Sequence, residues 1–257
     1  MNYTNAAIEF YKQYSAGQRE FNFAKLQRAD LRRKILSKVN LRNADLSHAN
    51  LKKADFSSAD LRRSCLFRAD LSSANLTGTN LTGADLSEVN LSLAELREAK
   101  LNRAFLNKAF LIGTNLIFAN LSYADLTGTD LSGANLRDTT LNGAFYDEHT
   151  IFPLNFSPIE AGMIQKYTVA ELLKQFNNVY KSSNRYFGHI LSAKYFYSSQ
   201  PNFEWLNQFE INKFKRIIFQ GSVEESISPL QFRWFQVWIH DFIESCSQII
   251  KDFPKLI

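Results

Sequence analysis

From residue 21 to residue 141 every fifth residue is Leu, with Phe standing in at Phe21 and Phe56. Two residues before each lies Ala in most cases, and otherwise mainly Ser, Thr or Val. A 3.6-residue helix would scatter such a period around its surface, and a simple strand needs alternation by two. A chain that turns a corner at every fifth residue places all these leucines inside one narrow tube. The residue two before must then be small, because it shares that interior. Lys34 breaks this rule, since it occupies a small inward position. A lysine buried there without a partner is costly, so the expectation is a distorted first coil or a side chain that leaves through the open end.

The units ANLTG (74–78), ADLSE (84–88), ADLTG (124–128) and ANLRD (134–138) resemble the pentapeptide-repeat family, and the resemblance runs from residue 21 to about 150. It implies a β-solenoid: a right-handed quadrilateral β-helix with four pentapeptides per coil, so that residues 20 apart stack. At the usual strand spacing this gives about six coils and a tube about 30 Å long. The two ends of such a stack present unpaired backbone and need covers. Residues 1–20 supply an N-terminal helical cap, read as a helix over 4–16 with Ala7, Ile8, Tyr11 and Tyr14 facing inward and Gly17 as its stop. After Phe145 the period fails. Residues 151–257 are aromatic-rich and read as an all-α domain, with helices at 158–165, 169–181, 185–198, 202–220 and 229–252 and Gly221 ending the fourth. SPIE (157–160) and TVAE (168–171) look like capping boxes, and Ser228-Pro229 puts Pro at a helical first position. The segment 184–200, with Tyr186, Phe187, Ile190, Leu191, Tyr195 and Phe196, is expected to be the central helix of the bundle.

No sequence pattern points to catalysis. A nucleophile needs a base within hydrogen-bond reach, and His48 and Cys65 fall on neighbouring coils at lateral positions roughly 10 Å apart. His149, His189 and His240 have no His or Cys at a metal-binding interval. Cys65 and Cys246 suggest reduced thiols rather than a disulfide framework. The glycines at 78, 83, 113, 128, 133 and 143 recur at the corner two residues after a central residue, and none forms a phosphate loop. Asp45, Asp85 and Asp125 belong to the repeat unit itself. The expectation is a protein that is not an enzyme and uses neither cofactor nor metal. No apolar run of about 18 residues offers a membrane span, and the N-terminus has no secretory pattern, so the expected location is cytoplasmic.

Charge is unevenly placed. Residues 21–70 carry 12 Lys and Arg against 5 Asp and Glu, whereas residues 71–150 carry 5 against 9. Stacking residues 20 apart sets Arg32 and Arg33 beside Lys52 and Lys53 on one face. Arg42 falls beside Arg62 on another, with Arg63 and Arg103 further along. Such stripes could contact the phosphates of a nucleic acid, but no aromatic residues are interleaved for stacking, and a solvated face that keeps the protein soluble is the simpler reading. Some members of the family act on DNA gyrase by presenting a DNA-like acidic rod. This rod is basic before residue 71, so that role is not expected here. A tube followed by an aromatic helical domain resembles the cyanobacterial members.

The stretch 101–121, LNRAFLNKAFLIGTNLIFANL, keeps its leucines but puts Phe105, Phe110, Ile112, Ile117 and Phe118 at outward positions. With Leu93 and Tyr123 they form an apolar girdle around the later coils, larger than a solvated surface ordinarily shows. It is expected to be covered. On this reading Phe105 and Phe110 anchor the C-terminal domain, while Ile117 and Phe118 face a protein partner or a second copy in a homodimer. The sequence therefore describes a non-enzymatic scaffold that acts through protein–protein contacts, with nucleic-acid binding through the basic stripes as the alternative.

Overall fold

The computed structural model describes residues 3–223 and 225–247 and divides into two compact units, Met1–Gln165 and Lys166–Ile257. In the first, α1 (Tyr3–Ser15) leads into a ladder of single parallel bridges between residues 20 apart. The column Glu20, Asn40, Asp60, Asn80, Lys100, Asn120, Thr140 links successive levels, and three further columns repeat the pattern. Each coil thus contributes one bridge per pentapeptide. Every central residue from Leu26 to Leu131 is buried, most of them completely, which is worth about 1.5–3 kcal/mol for each leucine.

The small inward positions work as expected, and the threonines among them are satisfied. Thr79, Thr114 and Thr129 are fully buried, and each hydroxyl donates to the carbonyl of a central residue one coil back: Phe56 at 2.7 Å, Leu91 at 3.0 Å and Leu106 at 2.7 Å. A buried hydroxyl without such a partner would be destabilising. Where Asp or Asn precedes the central residue, it closes the corner. Its Oδ1 accepts the N–H two residues on, as in Ser47 to Asp45 and Ser122 to Asn120, both at 2.9 Å. These acids are therefore turn residues.

Both ends are covered. Phe10 of α1 packs edge-on to Phe21 with ring centroids 4.5 Å apart, and Tyr14 Oη donates to the Ser37 carbonyl. The buried residues of α1 are Ala7, Phe10 and Tyr14; Ile8, expected inside, is 63% exposed. Phe21 selects which helix face turns inward, and a short amphipathic pattern alone does not contain that choice. Lys34 leaves the first coil undistorted. Its N–H still reaches the Leu31 carbonyl and its own carbonyl still accepts from Asp55. The side chain turns out beneath α1, with Nζ 4.2 Å from the centre of the Tyr11 ring.

The first unit runs past the expected boundary at residue 150. Asp130 bridges to Ile151, and β1 (Phe145–Tyr146) pairs in parallel with β2 (Ile164–Gln165). Across this closing layer Tyr146 packs edge-on to Phe152, which stacks on Phe156. The helix expected at 158–165 is therefore a turn followed by β2; Ser157 Oγ accepts from the Glu160 N–H, but no helix follows.

The second unit is not all-α. It contains α2 (Val169–Ser198), a 3-10 turn at Glu204–Gln208, the antiparallel hairpin β3 (Phe209–Ile211) with β4 (Ile217–Phe219), and α3 (Pro229–Ser247). The helix expected over 202–220 is replaced by that 3-10 turn and hairpin, so Gly221 ends no helix. Its alternating Phe209, Ile217 and Phe219 are buried against the aromatic core. The two helices expected at 169–181 and 185–198 form one element, interrupted at Gly188, whose φ of 73° lies in the left-handed region. The Thr168–Glu171 capping box is present, and Ser228 Oγ accepts the Gln231 N–H at the start of α3. The last part of the expected 229–252 helix lies outside the described residues. Segment 184–200 is not the buried centre, because Ile190 is 87% exposed. The core is instead Leu172, Phe176, Tyr180 and Phe196 against Phe235, Trp238 and Phe242. No helix among the described residues is long and apolar enough to cross a membrane.

Candidate functional site

The repeat fixes which side chains can reach a partner. In each pentapeptide the centre and the residue two before it point inward, so the surface belongs to the residue before the centre and to the two after it. The second of those two has positive φ at nearly every coil, whether it is Arg33, Lys53, Leu93, Phe118 or Gly113. Glycine is thus not required there by the backbone alone. At two positions a larger residue would displace a neighbouring side chain. A Cβ on Gly113 would lie 3.0 Å from a methyl of Leu93, and one on Gly143 would lie 2.6 Å from the Tyr123 ring. Large outward side chains lean onto the next coil, and a glycine beneath receives them.

Within the first unit the girdle side chains lie at the surface. Leu93, Phe105, Phe110, Ile112, Phe118 and Tyr123 are all between 41% and 67% exposed, while Ile117 is half-buried. Phe105 and Phe110 occupy the position that holds Asp or Asn in most pentapeptides, although Lys25, Ile35, Cys65, Glu95, Lys100 and Thr140 also stand there, and they have no oxygen to offer the corner N–H. These two corners of one coil lack a local turn bond, worth about 1 kcal/mol, and each places a ring on the surface. Phe118 has the Arg97 guanidinium 5.9 Å from its ring centre.

The basic stripes are less uniform than their sequence suggests. Arg32 grips both oxygens of Asp30, at 2.8 and 2.7 Å, and Arg62 does the same with Asp60. The Arg32 hydrogen bond holds the Asp30 carboxyl below its usual range; burial opposes the charge of Asp60, but the Arg62 hydrogen bonds prevail and lower it too. Arg33, Lys52, Lys53, Arg42 and Arg63 make no ion pair among the described residues. Arg32, Arg33, Lys52 and Lys53 come together with Asp30 and Lys34 around one cleft of about 720 Å³. Arg42, Arg62 and Arg63 belong to a different column, and Arg62 is held by its own Asp60.

The 20-residue register also joins two features that the sequence left separate. Arg32/Arg33, Lys52/Lys53, Ser72/Ser73, Ser92/Leu93 and Ile112/Gly113 are successive pairs on a single face. Along the tube that face passes from cationic through hydroxyl-bearing to apolar.

His48 packs edge-on to Phe67, and burial pushes the Cys65 thiol up. Burial also raises the Cys246 thiol to about 11 and the Tyr180 hydroxyl to about 12, where Tyr180 meets His189 Nδ1 at 3.0 Å. The ligand atoms of His240, Asp241 and Glu244 lie within 4.8 Å of one another, but His240 and Glu244 are exposed and adjacent turns of α3 bring them together. The Lys34–Tyr11 contact and the Gly113 and Gly143 seats were not foreseen. Their signals are the single Lys among small inward residues and a glycine 20 residues after a large outward side chain.

Four pentapeptides to a coil, with leucine and small residues inside, define a stacked-coil repeat protein. The family described as pentapeptide repeats matches in eight copies, over residues 20–63, 64–103 and 94–133. Residues 20–133 of the chain are thus built of pentapeptide repeats. Among solved structures it is similar to HetL, a pentapeptide repeat protein involved in heterocyst differentiation regulation from the cyanobacterium Nostoc sp. strain PCC 7120, with 26% identity over 61% of this chain and 91% of that one (TM-score 0.29). It is also similar to Rfr23 from the cyanobacterium Cyanothece 51142, with 28% identity over 56% and 99% (TM-score 0.36). A third is alr5209 from Nostoc PCC 7120, with 29% identity over 63% and 93% (TM-score 0.22). No curated protein matches the chain.

Proposed function

We propose that this chain is a non-enzymatic scaffold, a right-handed quadrilateral β-helix that works in the cytoplasm by holding a protein partner on its apolar girdle. The observation that supports this most directly is the pair of exposed rings, Phe105 and Phe110, at adjacent corners where most pentapeptides carry a turn-forming Asp or Asn, in a coil whose inward residues obey the repeat without exception. A change that sacrifices local stability and leaves the core untouched has its purpose on the surface. Phe110, Ile112 and Leu93 share one face, and Phe118 with its neighbour Arg97 adds the aromatic and arginine character common at binding hot spots.

The test compares the full chain with Phe110→Asp/Ile112→Asp, captured from the native cell extract. A protein retained by the first and lost from the second supports the reading, provided light scattering shows both variants folded and in the same oligomeric state. An identical set of captured proteins refutes it. A dimer of the wild type that the double variant splits assigns the girdle to a second copy. Binding of a hydrophobic dye that appears only when the chain is cut after residue 165 assigns it to residues 166–257.

A further inference from the structure

Lys34 stands where the repeat asks for a small inward residue, yet the coil around it keeps its backbone bonds. The Lys34 side chain lines two hollows, one on the first coils and one between those coils and α1. The first is the cationic cleft of about 720 Å³; the other, of about 590 Å³, has Ala7, Ile8, Tyr11 and Leu31 in its wall beside Lys12 and Arg28, and shares Asp30 and Lys34 with the first. Both volumes fall in the range of small-molecule sites.

The charges are arranged for an anion. Arg32 is spent on Asp30, whose carboxylate is thereby answered. Arg33, Lys34, Lys52 and Lys53 have no carboxylate within ion-pair distance among the described residues. Like charges gathered on a concave wall repel one another and focus a positive field into the cleft, which a bound anion relieves. The extent of the cluster limits the anion's size. Beyond Lys53 the same column continues as Ser73 and Leu93, so the cationic run spans two coils, about 10 Å. That accommodates two or three linked phosphates and is short for a duplex, whose binding proteins typically neutralise about 6–10.

We infer that this cleft binds a compact polyphosphate carrying a flat apolar group, the chemistry of a nucleoside di- or triphosphate. Lys34, Lys52, Lys53 and Arg33 meet the phosphates, with the arginine able to hold two oxygens at once. The ring system lies in the adjoining hollow against Ala7, Ile8, Leu31 and the edge of Tyr11, a face of which Lys34 covers. This site is separate from the girdle, so its failure leaves the scaffold reading standing.

The experiment is calorimetric titration of the full chain with ATP, inorganic tripolyphosphate and a duplex of about 20 base pairs, at about 0.15 M salt. ATP is expected to bind more tightly than either of the others. Lys34→Ala restores the small inward residue of the repeat, so the tube stays folded by circular dichroism while ATP binding weakens at least about tenfold. Lys53→Glu weakens it similarly, and Arg103→Ala, on another column, leaves it unchanged. The inference is overturned by absence of ATP binding at about 1 mM, by equal binding to wild type and Lys34→Ala, by tripolyphosphate binding as tightly as ATP, or by a duplex that binds more tightly than ATP.

Discussion

In the tube a leucine meets its own coil and the coils above and below, whereas in the second unit Phe176 touches Phe196, Phe235, Trp238 and Phe242 at once. One core is a sum of nearly identical layers, and its stability is a sum of neighbour terms. The other is a single aromatic cluster whose members depend on one another. The difference teaches where each part can change. Outward residues of a coil can be exchanged while the layer still closes, and that is how a cationic cleft and an apolar girdle come to share one tube. A single cluster has no such spare positions.

The largest expected effect breaks the cluster. Trp238→Ala removes a fully buried ring and leaves the Phe196 carbonyl without its indole donor, a loss of about 3–5 kcal/mol. All three tryptophans, Trp205, Trp234 and Trp238, lie in the second unit, so the remaining tryptophan fluorescence reports on that unit alone. Its unfolding midpoint should fall sharply in urea while the β signal of the tube stays in place; a joint loss of both would show that the two cores are not independent. Leu96→Ala is next, at about 2–5 kcal/mol. Hydrogen exchange should quicken in the coil of Leu96 and in the coils on either side, and uniform quickening from Leu26 to Leu131 would contradict the picture of neighbour terms. The smallest effect separates two corners of the same repeat. Gly143→Ala drives a methyl against the Tyr123 ring, whereas Gly78→Ala meets only Ser58 Oγ at 3.8 Å. Both adopt a left-handed backbone, costing about 1 kcal/mol, and only the first should lower the melting temperature further and shift the Tyr123 ring resonances. Equal changes would mean that Gly143 is not a seat for that ring.

How much of this is legible in the sequence differs between the same two regions. Leu, Ala and the 20-residue register suffice for the tube because each coil packs on copies of itself, so the period predicts the neighbours. The girdle residues and the Arg32, Arg33, Lys52, Lys53 group follow from the same arithmetic. The choice of Phe10 over Ile8 in α1 does not, because both are large apolar residues and the position of Phe21 decides between them. In the second unit apolar residues occur on so many positions that neither a period of 3.6 nor one of 2 stands out. Phe209 to Phe219 therefore reads as helix although it folds as a hairpin, held in part by Asn177, whose side chain donates to the Ile217 carbonyl and accepts its N–H, each at 2.8 Å. That partner is 40 residues away, and no local window contains it.

The five-residue grammar on its own determined the tube, its inward residues and the places where the surface departs from the rule, because those depend on residues close along the chain or at a fixed offset. The placing of Lys34 against Tyr11, the closing layer from Ile151 to Gln165, and the hairpin came with the folded chain. Each rests on a contact between segments whose separation no repeat sets, and there packing and charge in three dimensions choose among alternatives that the local pattern leaves equal.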